Sequence, residues 1–342
     1  LATPKTKILS LSSSRNFAWV NDMERFDAIV IGAGHAGCES ALALARTGNK
    51  TLLLTISLDA VAFLACNPSI GGTSKGQLVS EVDALGGEMG VNADKTAIQI
   101  RMLNRGKGPA VQSLRAQADK NLYRQEMKKT IEKEKNLYLR QGAAVDISLD
   151  KEDKIVTTSV GLKYVARALV FATGVYMESE VIIGKTREKT GPNRFKNSHG
   201  LSKSLEKLGV KLVRFKTGTP VRLHARSVDF SKMEVQKGDD EISTFSYLTK
   251  KPIENKAKCY LTYTTLETHE IIRNNLDKAP AISGEIVGIG PRYCPSIETK
   301  IVRFADKDRH QLFLEPEALD TQEMYLQGFS TSMPSEIQKE MV

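Results

Sequence analysis

Hydrophobic positions follow three rhythms along this chain. Ala28 to Ile31 form an unbroken apolar run behind Phe26. Such a run predicts a strand buried on both faces. From about His35 to Thr47 apolar residues recur at helical spacing, and Gly48 closes the run. A second strand is predicted over Lys50 to Leu54, ending at Thr55. Leu78, Val82 and Leu85 share one face of a predicted helix that stops at Gly86-Gly87. A basic amphipathic helix is predicted from about Ser113 to Lys133, and a strand over Lys163 to Phe171 leads into Ala172-Thr173-Gly174. From Tyr176 to about Ala305 the pattern changes to short alternating runs, such as Cys259 to Thr264, separated by Pro, Gly and charge clusters. That predicts an inserted, largely antiparallel region. At the end, Ser332 to Val342 begins a helix that stops about two turns in. That ending reads as a fragment.

The strand, turn and helix at the start carry the most chemistry. Gly32-Ala33-Gly34-His35-Ala36-Gly37 is G-x-G-x-x-G placed after a buried strand and opening a helix. The first glycine permits the tight turn, the second lets a pyrophosphate approach, and the third lets helix and sheet pack closely. The helix start offers free N–H groups to the anion. A dinucleotide site is the expectation. An NAD site usually has an acid at the end of the second strand. Here the nearest, Asp59, lies four residues past Thr55, which weakens NAD and leaves FAD open. The turn-rich Cys66 to Gly76 loop does not fit G-x-x-x-x-G-K-[ST], so an ATPase reading is rejected.

The fold class expected is α/β. A Rossmann-like FAD-binding domain of the glutathione-reductase type begins over residues 23–175. A mixed α/β, largely antiparallel NAD or substrate domain is inserted over 176–305. Residues 306–342 are expected to return toward the FAD domain before the chain is cut. Residues 1–22 form a basic, Ser-rich tail, predicted to be disordered. They match an organellar presequence or upstream sequence read through before a start at Met23; a short stretch with one Arg favours the second.

Composition adds a partner. The net charge of +9 is concentrated in two zones. Residues 101–140 hold 11 Lys and Arg against 4 acids, and residues 185–226 hold 12 against 2. The rest of the chain is net acidic. Two basic zones point to a polyanion, although Lys128, Lys129, Lys133 and Lys135 equally fit a solvated helix face. Arg115, Arg124, Lys203 and Lys216 are the expected phosphate contacts. No run of residues has the length and apolarity of a membrane span. Cys38, Cys66, Cys259 and Cys294 include no C-x-x-C pair, which fits a reducing compartment better than a disulfide framework or zinc. His199, His224, His269 and His310 show no metal spacing, so no metal is expected. Asp239-Asp240 reads as a solvated loop.

Further stretches carry a resemblance. They are Cys66-Asn-Pro-Ser-Ile-Gly-Gly72, Glu81-Val-Asp-Ala-Leu-Gly-Gly87, Lys107-Gly-Pro-Ala-Val111, Arg115-Ala-Gln-Ala-Asp119, Lys216-Thr-Gly-Thr-Pro220, Gly290 to Lys300 and Phe313-Leu-Glu-Pro-Glu317. With the glycine motif they resemble the MnmG family, also called glucose-inhibited division protein A, over about Arg25 to Val342. The resemblance implies an FAD-dependent tRNA-modifying enzyme. With the GTPase MnmE, such an enzyme adds an aminomethyl or carboxymethylaminomethyl group to carbon 5 of the wobble uridine. Methylene-tetrahydrofolate supplies the carbon and NADH reduces the flavin. It also implies a homodimer, a heterotetramer with MnmE, and a cytoplasmic setting in bacteria.

By the same resemblance, Gly32, Ala33, Gly34, His35, Ala36 and Gly37 hold the FAD pyrophosphate, and Ala144 and Ser198 touch FAD. Gly290, Pro291, Arg292, Tyr293, Cys294, Pro295, Ser296, Ile297, Glu298, Thr299, Lys300, Ile301, Val302, Arg303 and Phe304 form the nicotinamide stretch. Arg194 departs from the pattern, standing where Gly is expected. Family members continue for nearly as long again past Val342.

Carbon 5 of uracil is a poor nucleophile until a thiolate adds at carbon 6, so the chemistry needs an activated cysteine. Cys66 and Cys294 match family cysteines and are the catalytic candidates, with Arg292 and Lys300 able to acidify Cys294. Cys38 and Cys259 are expected to be buried apolar residues. Three rivals remain. The missing C-x-x-C argues against a pyridine nucleotide–disulfide reductase. The run around Cys294 argues against a folate- and FAD-dependent tRNA uridine methyltransferase. A non-catalytic tRNA-binding fragment is the third.

Overall fold

In the computed structural model, which describes residues 23–291 and 294–342, the first half of the chain builds a six-stranded sheet. The expectations for the 1–22 tail and for Arg292 and Tyr293 lie outside the described residues. β1 (Glu24–Ile31) leads through the glycine turn into α1 (His35–Arg46), and β2 (Thr51–Thr55) follows. Every residue of β2 and the last four of β1 are buried, which explains their continuous apolar runs. α1 buries Gly37, Cys38, Ala41, Leu42 and Ala45, a stripe of small residues that lets the helix sit close to the sheet.

Next come β3 (Ser69–Gly71), α2 (Gly76–Ala84), α3 (Met89–Thr96), β4 (Ala97–Leu103), β5 (Ser113–Ala118) and α4 (Lys120–Lys133). The predicted helix over 113–133 is therefore two elements. Ser113 to Ala118 pairs with both β3 and β4 as the middle strand of a three-stranded sheet. The helix begins only after Asp119, whose carboxylate accepts the Asn121 and Leu122 N–H groups. α2 also departs from expectation. It buries Gly76, Val79 and Asp83, leaving Leu78 and Leu85 exposed.

β6 (Leu137–Gln141), β7 (Ala144–Asp150), β8 (Asp153–Thr158) and β9 (Lys163–Phe171) complete the first sheet, in the order β6-β2-β1-β9-β8-β7. β6, β2, β1 and β9 run parallel; β7 and β8 are an antiparallel extension. This is the expected Rossmann-like arrangement, with the glycine turn at the carboxyl end of β1.

The hairpin β10 (Val181–Ile183) and β11 (Thr186–Glu188) and helix α5 (Leu201–Lys207) lead to a second sheet. It contains β12 (Thr219–His224), β13 (Glu234–Gln236) and β14 (Cys259–Tyr263), then, after α6 (Leu266–Arg273), α7 (Pro280–Ser283) and α8 (Ile297–Arg303), β15 (Gln311–Pro316) and β16 (Glu323–Thr331). α9 (Ser335–Met341) closes the chain against α6. The order is β12-β16-β15-β14-β13, antiparallel throughout.

Two boundaries change as a result. Residues 311–331 do not return to the first sheet. They form two adjacent inner strands of the second, because β12 and β14 each need a partner there. The segment from 239 to 257 leaves the second region and docks on the first. Asp239 and Lys256 donate their N–H groups to the Ile100 and Ile98 carbonyls, capping the free side of β4. Asp239 is accordingly not solvated: its carboxylate accepts from the Met102 N–H at 2.6 Å and from Arg105 at 2.7 Å.

Candidate functional site

The glycine turn has the shape an anion site requires. Gly32 has φ +105°, and a Cβ there would lie 2.2 Å from the Ala172 carbonyl oxygen. A Cβ on Gly37 would lie 1.7 Å from the Gly32 oxygen. Gly32 is therefore demanded by packing against Ala172, and Gly37 by the close approach of α1 to the Gly32 carbonyl. Gly34 is different: it is exposed, and a Cβ would meet nothing within 4 Å. It caps α1 with no side-chain hydrogen bond, and the first turn of the helix carries no acid. Glu39, the nearest carboxylate in α1, is turned away to accept the Glu88 and Met89 N–H groups. The donors at Gly34 to Gly37 are left to face a ligand, which fits a dinucleotide pyrophosphate.

His35 belongs to the packing under this turn. Its Nε2 is enclosed without a hydrogen-bond partner, and its ring lies 5.6 Å from that of Tyr123. Burial pushes the imidazole down to about 4. Asp59 is engaged by Arg124, which donates to its carbonyl at 2.6 Å and to its carboxylate at 3.3 Å.

Ala144 and Ser198, far apart in sequence, meet: Ser198 Oγ donates to the Ala144 carbonyl at 2.8 Å. The corner that carries Ser198 is pinned by hydrogen bonds to Tyr176 and Glu178. Nearby, the departure at Arg194 keeps the backbone that glycine would favour. Asn193 and Arg194 have φ of 56° and 57°, both left-handed.

Cys66 sits where the two halves join. The Ala62 N–H donates to the Ala33 carbonyl at 2.8 Å, tying the loop after β2 to the glycine turn. Cys66 follows four residues later, so at most about 14 Å of chain separates it from that turn. Its Sγ is 3.1 Å from the Tyr325 hydroxyl, and its carbonyl accepts from Arg222 Nη2 at 3.1 Å. Arg222, Tyr325 and Glu315 are cross-strand neighbours on β12, β16 and β15. The three-stranded sheet supplies Arg115, 2.7 Å from Glu315, and α4 supplies Lys120, 2.5 Å from Glu317. Glu317 also accepts from Arg222 Nε at 2.8 Å.

Cys294 lies before α8, at the far limit of contact with the Thr217 hydroxyl, 4.0 Å. Lys300 is close enough for the Cys294 sulfur to oppose the downward push of burial on its ammonium, and it donates to the Gly328 carbonyl at 2.7 Å. The structure divides the 290–304 stretch. Ile297, Glu298 and Ile301 point inward, with Glu298 accepting from Thr331 and from the Ser332 N–H. Gly290, Val302, Arg303 and Phe304 remain exposed. Cys66 borders β16 at Tyr325, and Lys300, close to Cys294, reaches β16 at Gly328. Cys38 and Cys259 are buried, and burial pushes each thiol up to about 12.

The family described as Glucose inhibited division protein A matches residues 27–342. The chain belongs to this family. It is 58% identical over 318 residues to the tRNA uridine 5-carboxymethylaminomethyl modification enzyme MnmG of Geobacillus thermodenitrificans, covering 93% of this chain and 51% of that protein. The MnmG of Alkaliphilus metalliredigens is 56% identical, with 93% and 50% covered. The solved structure of Aquifex aeolicus GidA superposes with a TM-score of 0.88 at 49% identity, covering 93% of this chain and 54% of that one. The chain spans about half the length of the curated relatives it matches. Its fold is that of the GidA chains over this half. Among the described residues no helix is long and apolar enough to cross a membrane, and no group of three or more His, Cys, Asp or Glu is placed to hold a metal ion.

The basic zones read differently in three dimensions. Arg115 pairs with Glu315, Arg124 holds Asp59, and Lys216 donates to the Ile286 carbonyl at 3.1 Å. Of the four expected phosphate contacts, Lys203 is the exposed one, beside exposed Lys207 and Lys211. The residues that sequence reading missed are Arg222, Glu315 and Tyr325. A signal was present for one, since Glu315 ends an apolar strand run with a second acid, Glu317, two residues on.

Proposed function

We propose that this chain supplies the flavin cradle and both reactive cysteines of an FAD-dependent tRNA modification enzyme. The enzyme adds an aminomethyl or carboxymethylaminomethyl group at carbon 5 of the wobble uridine, together with the GTPase MnmE. The observation that carries this reading is the tie between Ala62 and Ala33. It limits the chain between Cys66 and an open glycine turn to about 14 Å, in a chain related to tRNA uridine-modifying enzymes.

The Gly34 to Gly37 N–H groups would hold the FAD pyrophosphate, with Ala144 and Ser198 on the flavin's path. Bound there, FAD would supply the site's redox chemistry, with NADH as its reductant and methylene-tetrahydrofolate as the one-carbon donor. A cysteine thiolate, from Cys66 or Cys294, forms a bond to uridine carbon 6, and the carbon 5–carbon 6 electron pair moves toward the carbon 4 carbonyl. Carbon 5 then attacks the electrophilic methylene. Loss of the carbon 5 proton expels tetrahydrofolate and leaves an exocyclic methylene; an amine (ammonia for aminomethyl, aminoacetate for carboxymethylaminomethyl) adds to it, and expulsion of the thiolate restores the ring. The wobble base is unstacked to reach the site, and exposed lysines of 185–211 meet the tRNA backbone.

Relatives are about twice as long, so turnover is assigned to the full-length enzyme and not to these 342 residues alone. Titration with FAD, followed by nucleoside mass spectrometry of tRNA incubated with MnmE, GTP, the folate donor and NADH, tests both statements. Tight stoichiometric flavin with turnover by the 342-residue chain would overturn the assignment to full length. A 5-methyluridine product would favour the methyltransferase alternative.

A further inference from the structure

Tyr325 is an unexpected neighbour for a reactive thiol. Its hydroxyl is 3.1 Å from Cys66 Sγ, and its side chain is buried. Its ring is covered by the Arg222 guanidinium, 4.7 Å from the ring centroid. The phenol is fixed from both sides, because Arg222 and Glu315 are its cross-strand neighbours.

Arg222 is itself held by Glu317, by the Thr219 hydroxyl and by the Cys66 and Pro220 carbonyls. This arrangement holds a hydroxyl against the sulfur.

We infer that Tyr325 is a positioning residue for Cys66, donating its O–H to the sulfur and holding the thiolate ready for attack. The inference rests on the proposed role of Cys66 as a reactive cysteine.

The surrounding charges support a donor that keeps its proton. Burial and the adjacent Cys66 sulfur push the Tyr325 phenol strongly upward, and Arg222 opposes them only in part. The phenol therefore keeps its proton, and its O–H is able to donate to the sulfur 3.1 Å away. A hydrogen bond to the charged form favours that form. The charged groups in this junction are Arg222 from β12, Glu315 from β15, Glu317 after it, Arg115 from β5 and Lys120 from α4. Three cations face two carboxylates, and burial pushes Glu315 toward its neutral form while Arg115 opposes this.

The test is the pH dependence of iodoacetamide alkylation, followed cysteine by cysteine by peptide mass spectrometry on the full chain. The thiolate attacks carbon, iodide leaves, and no flavin or tRNA is required. In Tyr325→Phe, alkylation of Cys66 at neutral pH is expected to slow about tenfold, with its profile moved to higher pH. Cys294 serves as the internal reference and is expected to keep its rate. Replacing Tyr325 by 3-fluorotyrosine, nearly the same shape with a more acidic phenol, is expected to move the Cys66 profile the opposite way. This second variant decides the matter if Tyr325→Phe fails to fold. An unchanged Cys66 profile in a folded Tyr325→Phe protein, or no opposite shift with fluorotyrosine, overturns the inference. Either failure leaves the tRNA reading standing. Failure of the tRNA reading would appear as unmodified wobble uridine with the Cys66 shifts intact.

Discussion

Arg115 and Glu315 form an ion pair at 2.7 Å across the junction between the three-stranded sheet and the second sheet. The Glu315 carboxylate is 2% exposed, so it depends on this partner for charge compensation. Arg115→Ala would leave it stranded. Breaking a buried pair from one side costs about 3–5 kcal/mol. Urea unfolding of the variant is expected to show a loss of that order. A loss below about 1 kcal/mol would mean that the junction is not formed as described.

The same pair redirects the tRNA argument. Neutralising Arg115 removes a structural contact and not a phosphate contact. Lys203→Gln, Lys207→Gln and Lys211→Gln in combination are expected to flatten the slope of log K against log salt by about 0.7–0.9 per lost contact. Filter binding of tRNA to the full-length protein at several salt concentrations reads this slope. No change would move the polyanion surface elsewhere.

Gly34 and Gly37 separate binding from folding. Gly34→Ala adds a methyl where the structure has open space. The fold should be kept while FAD affinity falls about tenfold or more, because the methyl occupies the phosphate's approach. Gly37→Ala drives a Cβ into the Gly32 carbonyl, so the folded yield itself should drop. Circular dichroism and flavin fluorescence titration on both variants distinguish the two. A Gly34→Ala protein with unchanged FAD affinity would remove the pyrophosphate from this turn.

His35 makes stability fall on the acid side. Its folded imidazole titrates at about 4 against 6.5 for the free group. Below pH 6.5 the unfolded chain takes up a proton that the folded chain refuses, so stability is lost as pH falls toward 4 and levels off beneath it. His269 and His310 are also shifted down by burial and add in the same direction. Melting temperatures between pH 7 and pH 4.5 are expected to decline less steeply in a His35→Asn variant. Parallel curves would show that the imidazole is not enclosed.

Arg194 holds a left-handed backbone at φ 57°, with its side chain exposed and an ion pair to Glu188 at 3.1 Å. Left-handed conformation costs a non-glycine residue about 1–2 kcal/mol, and an exposed ion pair returns little. After the extra freedom glycine gives the unfolded chain, Arg194→Gly is expected to stabilise by about 0.5–1 kcal/mol. Thermal unfolding checks the sign.

Much of this was legible in the sequence because it is local. The β1–glycine–α1 unit is written in adjacent residues, and so is the burial of Cys38 on the helix stripe. The Ser113–Lys133 segment was misread because a six-residue strand and a helix share amphipathic spacing until Asp119 is recognised as a cap. The face of Leu78 and Leu85 was misread because periodicity shows which residues align, not which side of the helix meets the core. The Cys66 environment was not legible at all. Tyr325, Arg222 and Glu315 are brought together by strand register, and no spacing between them in the sequence announces it.

The most direct test of the account is the wobble nucleoside itself. The full-length protein, with FAD, NADH, the folate donor, MnmE, GTP and unmodified tRNA, is to be analysed by nucleoside mass spectrometry beside its four single Cys→Ser variants. The account predicts the aminomethyl or carboxymethylaminomethyl product from the unsubstituted protein, from Cys38→Ser and from Cys259→Ser, and none from Cys66→Ser or Cys294→Ser. Normal product from Cys66→Ser or from Cys294→Ser would contradict it.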